Sequence, residues 1–351
     1  PDSGEAWGPS AGRIRFGGEM ERWLRRGEVS APASAPALAA VPGLLNEAAC
    51  GTVQPGAPAD VQDRIRGCIQ HARYINVMNQ AASNMRQVAT PYAPGLGALY
   101  GTVAREAVRL GTTAQPLPDG EVRFTVRPGT VAVSSSASLP VPQLEVILEQ
   151  RVGHPNGSFG NTTLTLNEMS GAMLTGNHAD VERTLYHEGF HFLSALVTDS
   201  NRAARQGPGG ARTVHPELDA QLLQPFGPRF QDVTRPVWRD MLLAAGESPA
   251  DAARLANGYA GLQWEKVANE VLSRVEEAVY MAVRAGRGFT LAEVDALPQA
   301  WVTTGAYWPS LHVPPAQTDA FITGHRAVIE STILPVVREI QRAYMLRRPT
   351  P

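Results

Sequence analysis

The pattern His187-Glu188-Gly189-Phe190-His191 constrains this chain more than any other feature of its sequence. On an α-helix, residues four positions apart project from the same face, one turn apart. Both imidazoles can therefore bind one metal ion, and H-E-x-x-H on a helix is an arrangement that binds zinc. Glu188, about 100° round the helix from His187, is placed to reach a water molecule beside that ion.

The residues around this pattern predict a buried helix. No proline occurs from Asp180 to Val197, and Gly189 is the only glycine in that stretch. The face opposite the histidines is apolar, and it consists of Val181, Leu185, Phe192, Leu193 and Leu196. Burying two imidazoles and a carboxylate without partners is energetically costly, and a bound cation removes that cost. The alternative is a pair of core histidines that are satisfied by hydrogen bonds.

The composition narrows the class of protein. With 351 residues, 43% of them hydrophobic, the chain is of an ordinary globular type. A formal net charge of −2 indicates neither a nucleic-acid partner nor an anionic membrane surface. No apolar run approaches the ~20 residues that cross a bilayer, and no secretory signal is recognisable. Localisation therefore stays open, and delivery by a dedicated secretion system is one expectation. The two cysteines, Cys50 and Cys68, leave a disulfide and two separate thiols equally open.

Composition and periodicity divide the chain into three parts. Residues 1–45 are rich in Ala, Pro, Gly and Ser, which predicts a flexible N-terminal segment. Residues 46–115 carry apolar positions at helical spacing, which predicts a helical layer. Residues 116–351 predict a catalytic domain of mixed structure, and 46–351 can together form one unit.

The periodicity predicts an α+β fold that is mostly helical, with a small β-sheet before the His187 helix. Strands are predicted at 122–126, 130–133, 144–148 and 162–167, the last as the edge strand. Helices are predicted at 60–88, 99–110, 262–285 and 316–347, with a bend at Pro335 and short helices between 217 and 257. Ser248-Pro249 is typical of a helix start. An edge strand beside a metal can pair with an extended peptide, so this layout suits peptide hydrolysis.

A catalytic zinc commonly has three protein ligands, so the two histidines require a third. Leu193 to Arg202 contains no histidine, which argues against the longer H-E-x-x-H-x-x-G-x-x-H pattern. The helix predicted at 262–285 carries three candidate glutamates, namely Glu270, Glu276 and Glu277. Glu270 and Glu277 are seven positions apart and share a helical face. The alternative is a solvated face on which an arginine pairs with these carboxylates.

His187-Glu188-x-x-His191 and a glutamate on a later helix together resemble the gluzincin class of zinc metallopeptidases. Glu277 is followed by the small residue Ala278, which is similar to the second motif of that class, and Asn269-Glu270 with Ser273 resembles a variant of it. The resemblance implies a zincin-like catalytic domain. It also implies that zinc is bound by His187, His191 and Glu277, with Glu270 as the alternative ligand.

The chemistry expected of such a site is hydrolysis of a protein or peptide, as by a secreted effector or toxin. Glu188 activates the water, and residue type alone makes Tyr280, Tyr307 and His325 candidates for the oxyanion donor. Two other functions stay open: a zinc-stabilised, catalytically inactive protein-binding module, and hydrolysis of cell-wall amide bonds. The sequence does not indicate an oligomeric state.

Overall fold

The computed structural model describes residues 45–110, 121–132, 138–141, 143–152, 157–160, 162–206, 220–302, 308 and 314–348. The chain divides into two compact units. The sheet unit holds the described residues within Ser30–Asp219, together with Glu276–Gly288. The helical unit comprises Ala220–Val275 and Phe289–Arg348. The predicted N-terminal segment lies almost wholly outside the described residues.

The sheet unit begins with two helices, α1 (Ala59–Gln87) and α2 (Ala93–Leu110). They approach each other closely because α2 carries glycine at the contact. A Cβ atom at Gly97 would lie 2.6 Å from the carbonyl oxygen of Ala82. Both helices predicted for this part of the chain are present. Helix α2 begins at Ala93 rather than at 99, because Pro94 suits the first turn of a helix, where its missing N–H is not needed.

The strands are β1 (Glu121–Val126), β2 (Gly129–Ala132), β3 (Ser138–Val141), β4 (Leu144–Glu149), β5 (Gly157–Gly160) and β6 (Thr163–Asn167). The main sheet has the order β1-β4-β6-β5, and β2 pairs with β3 in a separate ribbon. Strands β4 and β6 are parallel, with Val146 opposite Leu164, whereas β1 and β5 pair antiparallel to their neighbours. The inward side chains of β4 and β6 are fully buried and form the core under the sheet.

The edge strand differs from the prediction. Strand β6 lies between β4 and β5, so the prediction that 162–167 forms the edge is wrong. The two edges of the main sheet are β1 and β5. Strand β5 was not predicted, because two of its four residues are glycines and it has no apolar alternation. Strand β5 lies along the His187 helix. The rings of Phe159 and Phe192 meet edge to face, with centroids 5.6 Å apart.

The His187 helix is confirmed. A single turn, α3 (Gly171–Leu174), precedes the long helix α4 (His178–Gln206). The side-chain oxygen of Asn177 accepts a hydrogen bond from the backbone N–H of Asp180 at 3.3 Å, which satisfies a donor of the first turn. The apolar face is buried as predicted, with Leu185 and Leu193 both at 0% exposure.

The helical unit contains a 3-10 helix (Ala220–Phe226) followed by α5 (Gly227–Ala244), α6 (Pro249–Arg284), α7 (Leu291–Val302), α8 (Pro315–Gly324) and α9 (Arg326–Arg347). Helix α6 starts where Ser248 predicts, since the Ser248 hydroxyl accepts from the N–H of Asp251 at 3.2 Å. It is continuous through Gly258 and Gly261, where a break was predicted, and its C-terminal part belongs to the sheet unit. An interior glycine costs a helix only ~1 kcal/mol, which the length of α6 offsets.

The C-terminal helical stretch is interrupted at His325, between α8 and α9, and Pro335 lies inside α9. Helix α7 was not predicted, since Pro298 lies within it. No helix among the described ranges is both long and apolar enough to cross a membrane.

Candidate metal centre

Helix α4 brings the two histidines of the motif together. The Nε2 atoms of His187 and His191 are 3.0 Å apart, and the two rings are almost perpendicular. His187 is 6% exposed, whereas His191 is half-buried. The one-turn spacing of the sequence therefore places the two ring nitrogens at a common point.

The opposite nitrogen of His187 has its own partner. Its Nδ1 lies 2.9 Å from Oε2 of Glu277 on α6, and both side chains are buried. An ionised carboxylate only accepts hydrogen bonds, so His187 donates through Nδ1. In a neutral imidazole this leaves the lone pair on Nε2, the nitrogen that faces His191.

The Glu277 carboxylate has a second neighbour on the His187 helix. Nε of Arg183 lies 3.4 Å from its Oε1, and the same guanidinium pairs with Asp180. Arg183 stands one turn before His187 and is 48% exposed. Because the arginine reaches solvent, water screens its attraction for the carboxylate. Glu277 therefore lies between a ring nitrogen and a cation, on the far side of His187 from His191.

The contacts between α4 and α6 establish that the two helices run antiparallel. Tyr280 and Arg284 of α6 meet Glu182, near the start of α4, while Glu277 meets His187. Residues earlier in α6 therefore lie beside residues later in α4. Two turns before Glu277, the same face of α6 carries Glu270.

Glu270 completes a group of potential metal ligands. One ligand atom each from His187, His191 and Glu270 all lie within 4.8 Å of one another. The Glu270 carboxylate also accepts a hydrogen bond from Nε of Arg274, on its own helix, at 3.2 Å. This group could hold a metal ion. Its third member, Glu270, is the residue predicted above as the alternative ligand to Glu277. Glu276, the remaining candidate, is fully buried.

Glu188 is buried beside two phenols of the preceding helical layer. It is 8% exposed, and its charge acts on Tyr74 of α1 and Tyr100 of α2. Burial, first of all, and then nearby carboxylates raise the pKa of both tyrosines above its usual range. Both phenols therefore stay neutral near the Glu188 carboxylate. The ring of Tyr100 lies against Gly189, where an added Cβ would be 3.0 Å from Cε2.

The three candidate oxyanion donors have different positions. The hydroxyl of Tyr280 donates to Glu182, which also accepts from Arg284 and Asn84, and burial raises the pKa of Tyr280. His325 lies between α8 and α9, where its Nδ1 is 2.9 Å from the carbonyl oxygen of Phe321. Tyr307 lies outside the described residues. Tyr280 is thus already used as a donor within the sheet unit.

No family model, curated protein or solved structure matches this chain. The resemblance to gluzincins therefore depends on two short motifs and on the geometry of the side chains around them. That geometry consists of a His187–His191–Glu270 group and a carboxylate, Glu277, on the outer nitrogen of His187.

Several residues around the site were not identified from the sequence. Arg183 carried a usable signal, since it stands four positions before His187 and so shares its face. No sequence signal of this kind marks Tyr74, Tyr100 or Glu182. Their proximity to the motif depends on how α1, α2 and α6 pack on α4, and no local pattern encodes that packing.

Proposed function

We propose that this protein is a zinc-dependent metallopeptidase whose ion is bound by His187, His191 and Glu270. The observation that supports it most directly is the 3.0 Å separation of the two Nε2 atoms, with the other nitrogen of His187 held by Glu277. Zinc bonded to two histidines at about 2.0–2.1 Å in a tetrahedron holds their nitrogens about 3.3 Å apart. The rings are thus already close to the spacing that a shared ion requires.

The donor set also suits a catalytic ion. Two imidazoles and one carboxylate leave a fourth position open, as in catalytic zinc sites. Glu277 then has the role of a carboxylate that orients a ligand histidine by accepting its outer N–H. This assignment exchanges the roles that the resemblance implies for Glu270 and Glu277.

Glu188 performs the proton transfers in the proposed reaction. Zinc, when bound, lowers the pKa of a water molecule and polarises the scissile carbonyl. Glu188 takes a proton from the attacking water and gives it to the leaving amine nitrogen. Tyr74 and Tyr100 help to exclude solvent from one side of this carboxylate, because both are buried and neutral.

The substrate is proposed to be an extended peptide that pairs with β5. Within the described residues, no strand covers the outer edge of β5, so its backbone groups on that side can pair with another chain. Phe159 of β5 contacts Phe192, the residue directly after His191. A peptide on this edge would therefore lie alongside the candidate metal ligands of α4.

The test compares zinc content and peptide cleavage in matched variants of the full chain. The wild type should contain one zinc and cleave an unstructured protein such as casein or a mixed peptide library. His187→Ala should lose both properties. Glu188→Gln should keep the zinc and lose cleavage by about 10²–10⁴-fold, whereas Glu265→Gln, an exposed glutamate on α6, should change neither.

Two results would contradict the proposal. One is stoichiometric zinc without cleavage of any peptide, which would instead fit a binding module. The other is full activity in Glu188→Gln. Peptidoglycan assayed in parallel distinguishes a protein substrate from a cell-wall amide.

A further inference from the structure

A cavity of about 580 Å³ lies between α1, the first turns of α4 and the C-terminal part of α6. All of its lining residues belong to the sheet unit. Its volume is within the range of about 300–1,000 Å³ that is typical of small-molecule sites. The lining residues His178, Ala179 and Ala285 are exposed and so mark the mouth, whereas Ala81 and Glu182 are buried and mark the floor.

This cavity is separate from the candidate metal centre. Glu182, at its floor, stands five positions before His187 on α4, which is about 7.5 Å along the helix axis. The lining residues include no member of the His187–His191–Glu270 group. A ligand in the cavity is therefore a different occupant from an ion at that group.

The one carboxylate among the lining residues is already compensated. Glu182 accepts hydrogen bonds from Asn84 Nδ2 at 2.6 Å, from Arg284 Nε at 2.9 Å and from the Tyr280 hydroxyl. A cationic ligand would have to displace one of these donors, and the displaced group would lose its partner at a cost in free energy. The cavity therefore does not favour a cation.

The amides that α1 contributes to the lining are also engaged within the protein. Both polar atoms of the Asn76 amide bond the backbone of Leu45, at 2.8 and 3.0 Å, and a disulfide between Cys50 and Cys68 ties the same N-terminal residues to α1. Gln80 donates at 2.9 Å to another amide of α1. The group that binds a polar ligand atom is therefore to be found on α6 or α4.

Arg284 of α6 has donors left for a ligand. Its Nε bonds Glu182, but within the part of the chain that the structure describes its two terminal nitrogens have no acceptor. Its side chain is 33% exposed, so a ligand in the cavity can reach these nitrogens. They form the end of a planar fork that binds both oxygens of a carboxylate. Because Glu182 already fixes the guanidinium, little side-chain entropy is lost on binding.

The rest of the wall is largely apolar. Val77 and Ala81 of α1 face Met281 and Ala285 of α6 across the cavity, and the flexible thioether of Met281 can adapt to ligands of different shape. A wholly apolar ligand would remove water from the Arg284 fork without supplying an acceptor, which costs free energy. A ligand with an apolar body and one anionic end avoids that cost.

We propose that this cavity binds a small monocarboxylate with an apolar body. Its carboxylate pairs with the terminal nitrogens of Arg284, and its body packs on Val77, Ala81 and Met281. The three donors around Glu182 reduce the repulsion between that side chain and the ligand. The proposal does not depend on the metallopeptidase assignment.

Isothermal titration calorimetry with the full chain tests the chemistry of the ligand. Octanoate and 3-phenylpropionate present the same anionic group on an aliphatic and an aromatic body, and the tighter of the two shows which kind of body the cavity takes. Octanol and octylamine share the chain of octanoate but lack its charge. We expect one carboxylate per protein chain, and we expect the alcohol and the amine to bind about 10–100-fold more weakly.

Three variants test the position of the site. Arg284→Lys keeps a cation beside Glu182 but lacks the fork, so it should weaken carboxylate binding by about 10–100-fold. Ala179→Trp blocks the mouth from an exposed position and should abolish binding without changing the ion pair. Arg287→Lys, at an exposed residue outside the lining, should leave the affinity unchanged. Circular dichroism checks that each variant folds.

Several results would overturn the proposal. One is that neither carboxylate binds at millimolar concentration, and another is that octanol or octylamine binds as tightly as octanoate. Unchanged binding in Ala179→Trp would place the ligand elsewhere, and this variant decides the matter if Arg284→Lys does not fold. The same loss in Arg287→Lys as in Arg284→Lys would show that no particular arginine is required.

Discussion

Nδ1 of His187 lies 2.9 Å from Oε2 of Glu277, and this contact determines which nitrogen of the ring faces His191. The two residues are 90 positions apart in the sequence. A carboxylate on the outer nitrogen of a histidine fixes its tautomer and raises the basicity of the inner nitrogen. In the function proposed above, the pair would therefore prepare His187 to bind the ion, whether or not Glu277 itself touches it.

The two glutamates of α6 should differ in how strongly they affect metal binding. Glu277→Ala should weaken zinc binding by about 10–100-fold, because it removes an orienting partner of a ligand. It should still allow one zinc to bind at saturation. Glu270→Ala should abolish stoichiometric binding. Competition with a chromophoric chelator measures both affinities.

Glu265→Ala serves as the control for these substitutions, since Glu265 is exposed on the same helix. Its zinc affinity should equal that of the wild type. If Glu277→Ala abolished binding while Glu270→Ala only weakened it, Glu277 would be the ligand, and the assignment proposed above would be reversed.

Gly189, inside the motif, should not tolerate a larger residue. An added Cβ would lie 2.9 Å from Leu96 Cδ2 and 3.0 Å from Tyr100 Cε2, both on α2. Such overpacking costs typically about 1–3 kcal/mol, and it exceeds the gain in helix propensity from alanine. Gly189→Ala should therefore lower the free energy of unfolding, as measured by urea denaturation.

The matched control is Gly258→Ala in α6, where nothing lies within 4 Å of an added Cβ. Here the helix propensity alone should act, and the change should stabilise by up to about 1 kcal/mol. Equal effects of the two substitutions would mean that α2 does not pack on Gly189 as described.

The sequence predicted the parts of the fold that depend on local pattern. The His187 helix and four strands followed from apolar periodicity, and the start of α6 followed from Ser248 and Pro249. Strand β5 was missed because Gly157 and Gly160 carry no side chain to alternate. The break predicted between residues 257 and 262 was wrong, because the continuity of a long helix such as α6 depends on its packing and not on Gly258 and Gly261 alone.

For the candidate site, too, the sequence indicated only what depends on local spacing and not what depends on packing between helices. His187, Glu188 and His191 were identified because their spacing within one helix is itself the signal. Glu277 contacts Nδ1 of His187, whereas a Glu270 oxygen lies within 4.8 Å of a ring nitrogen of each histidine. This difference depends on the register between α4 and α6. Both glutamates share a helical face, so sequence spacing could not separate them.

His71 and Glu168 form a buried pair that should make stability depend on pH. Nδ1 of His71 lies 2.6 Å from Oε1 of Glu168. Burial alone would lower the pKa of His71, but the hydrogen bond and charge of Glu168 outweigh it and raise that pKa above its ordinary value. The folded protein therefore holds this proton more tightly than the unfolded chain does.

It follows that the stabilisation by His71 is fully present below the unfolded pKa of about 6.5 and is lost as the pH rises through the higher, folded pKa. The free energy of unfolding of the wild type, compared with His71→Gln, should fall across that interval. One proton limits the slope to about 1.4 kcal/mol per pH unit. Urea denaturation at half-unit steps from pH 5.5 to about 9 would measure the difference. Glu168→Gln should abolish this fall or reverse it, because it removes the partner that raises the pKa of His71 and leaves the burial that lowers it. Parallel pH profiles for the wild type and His71→Gln would show that the proton is held no more tightly in the folded state.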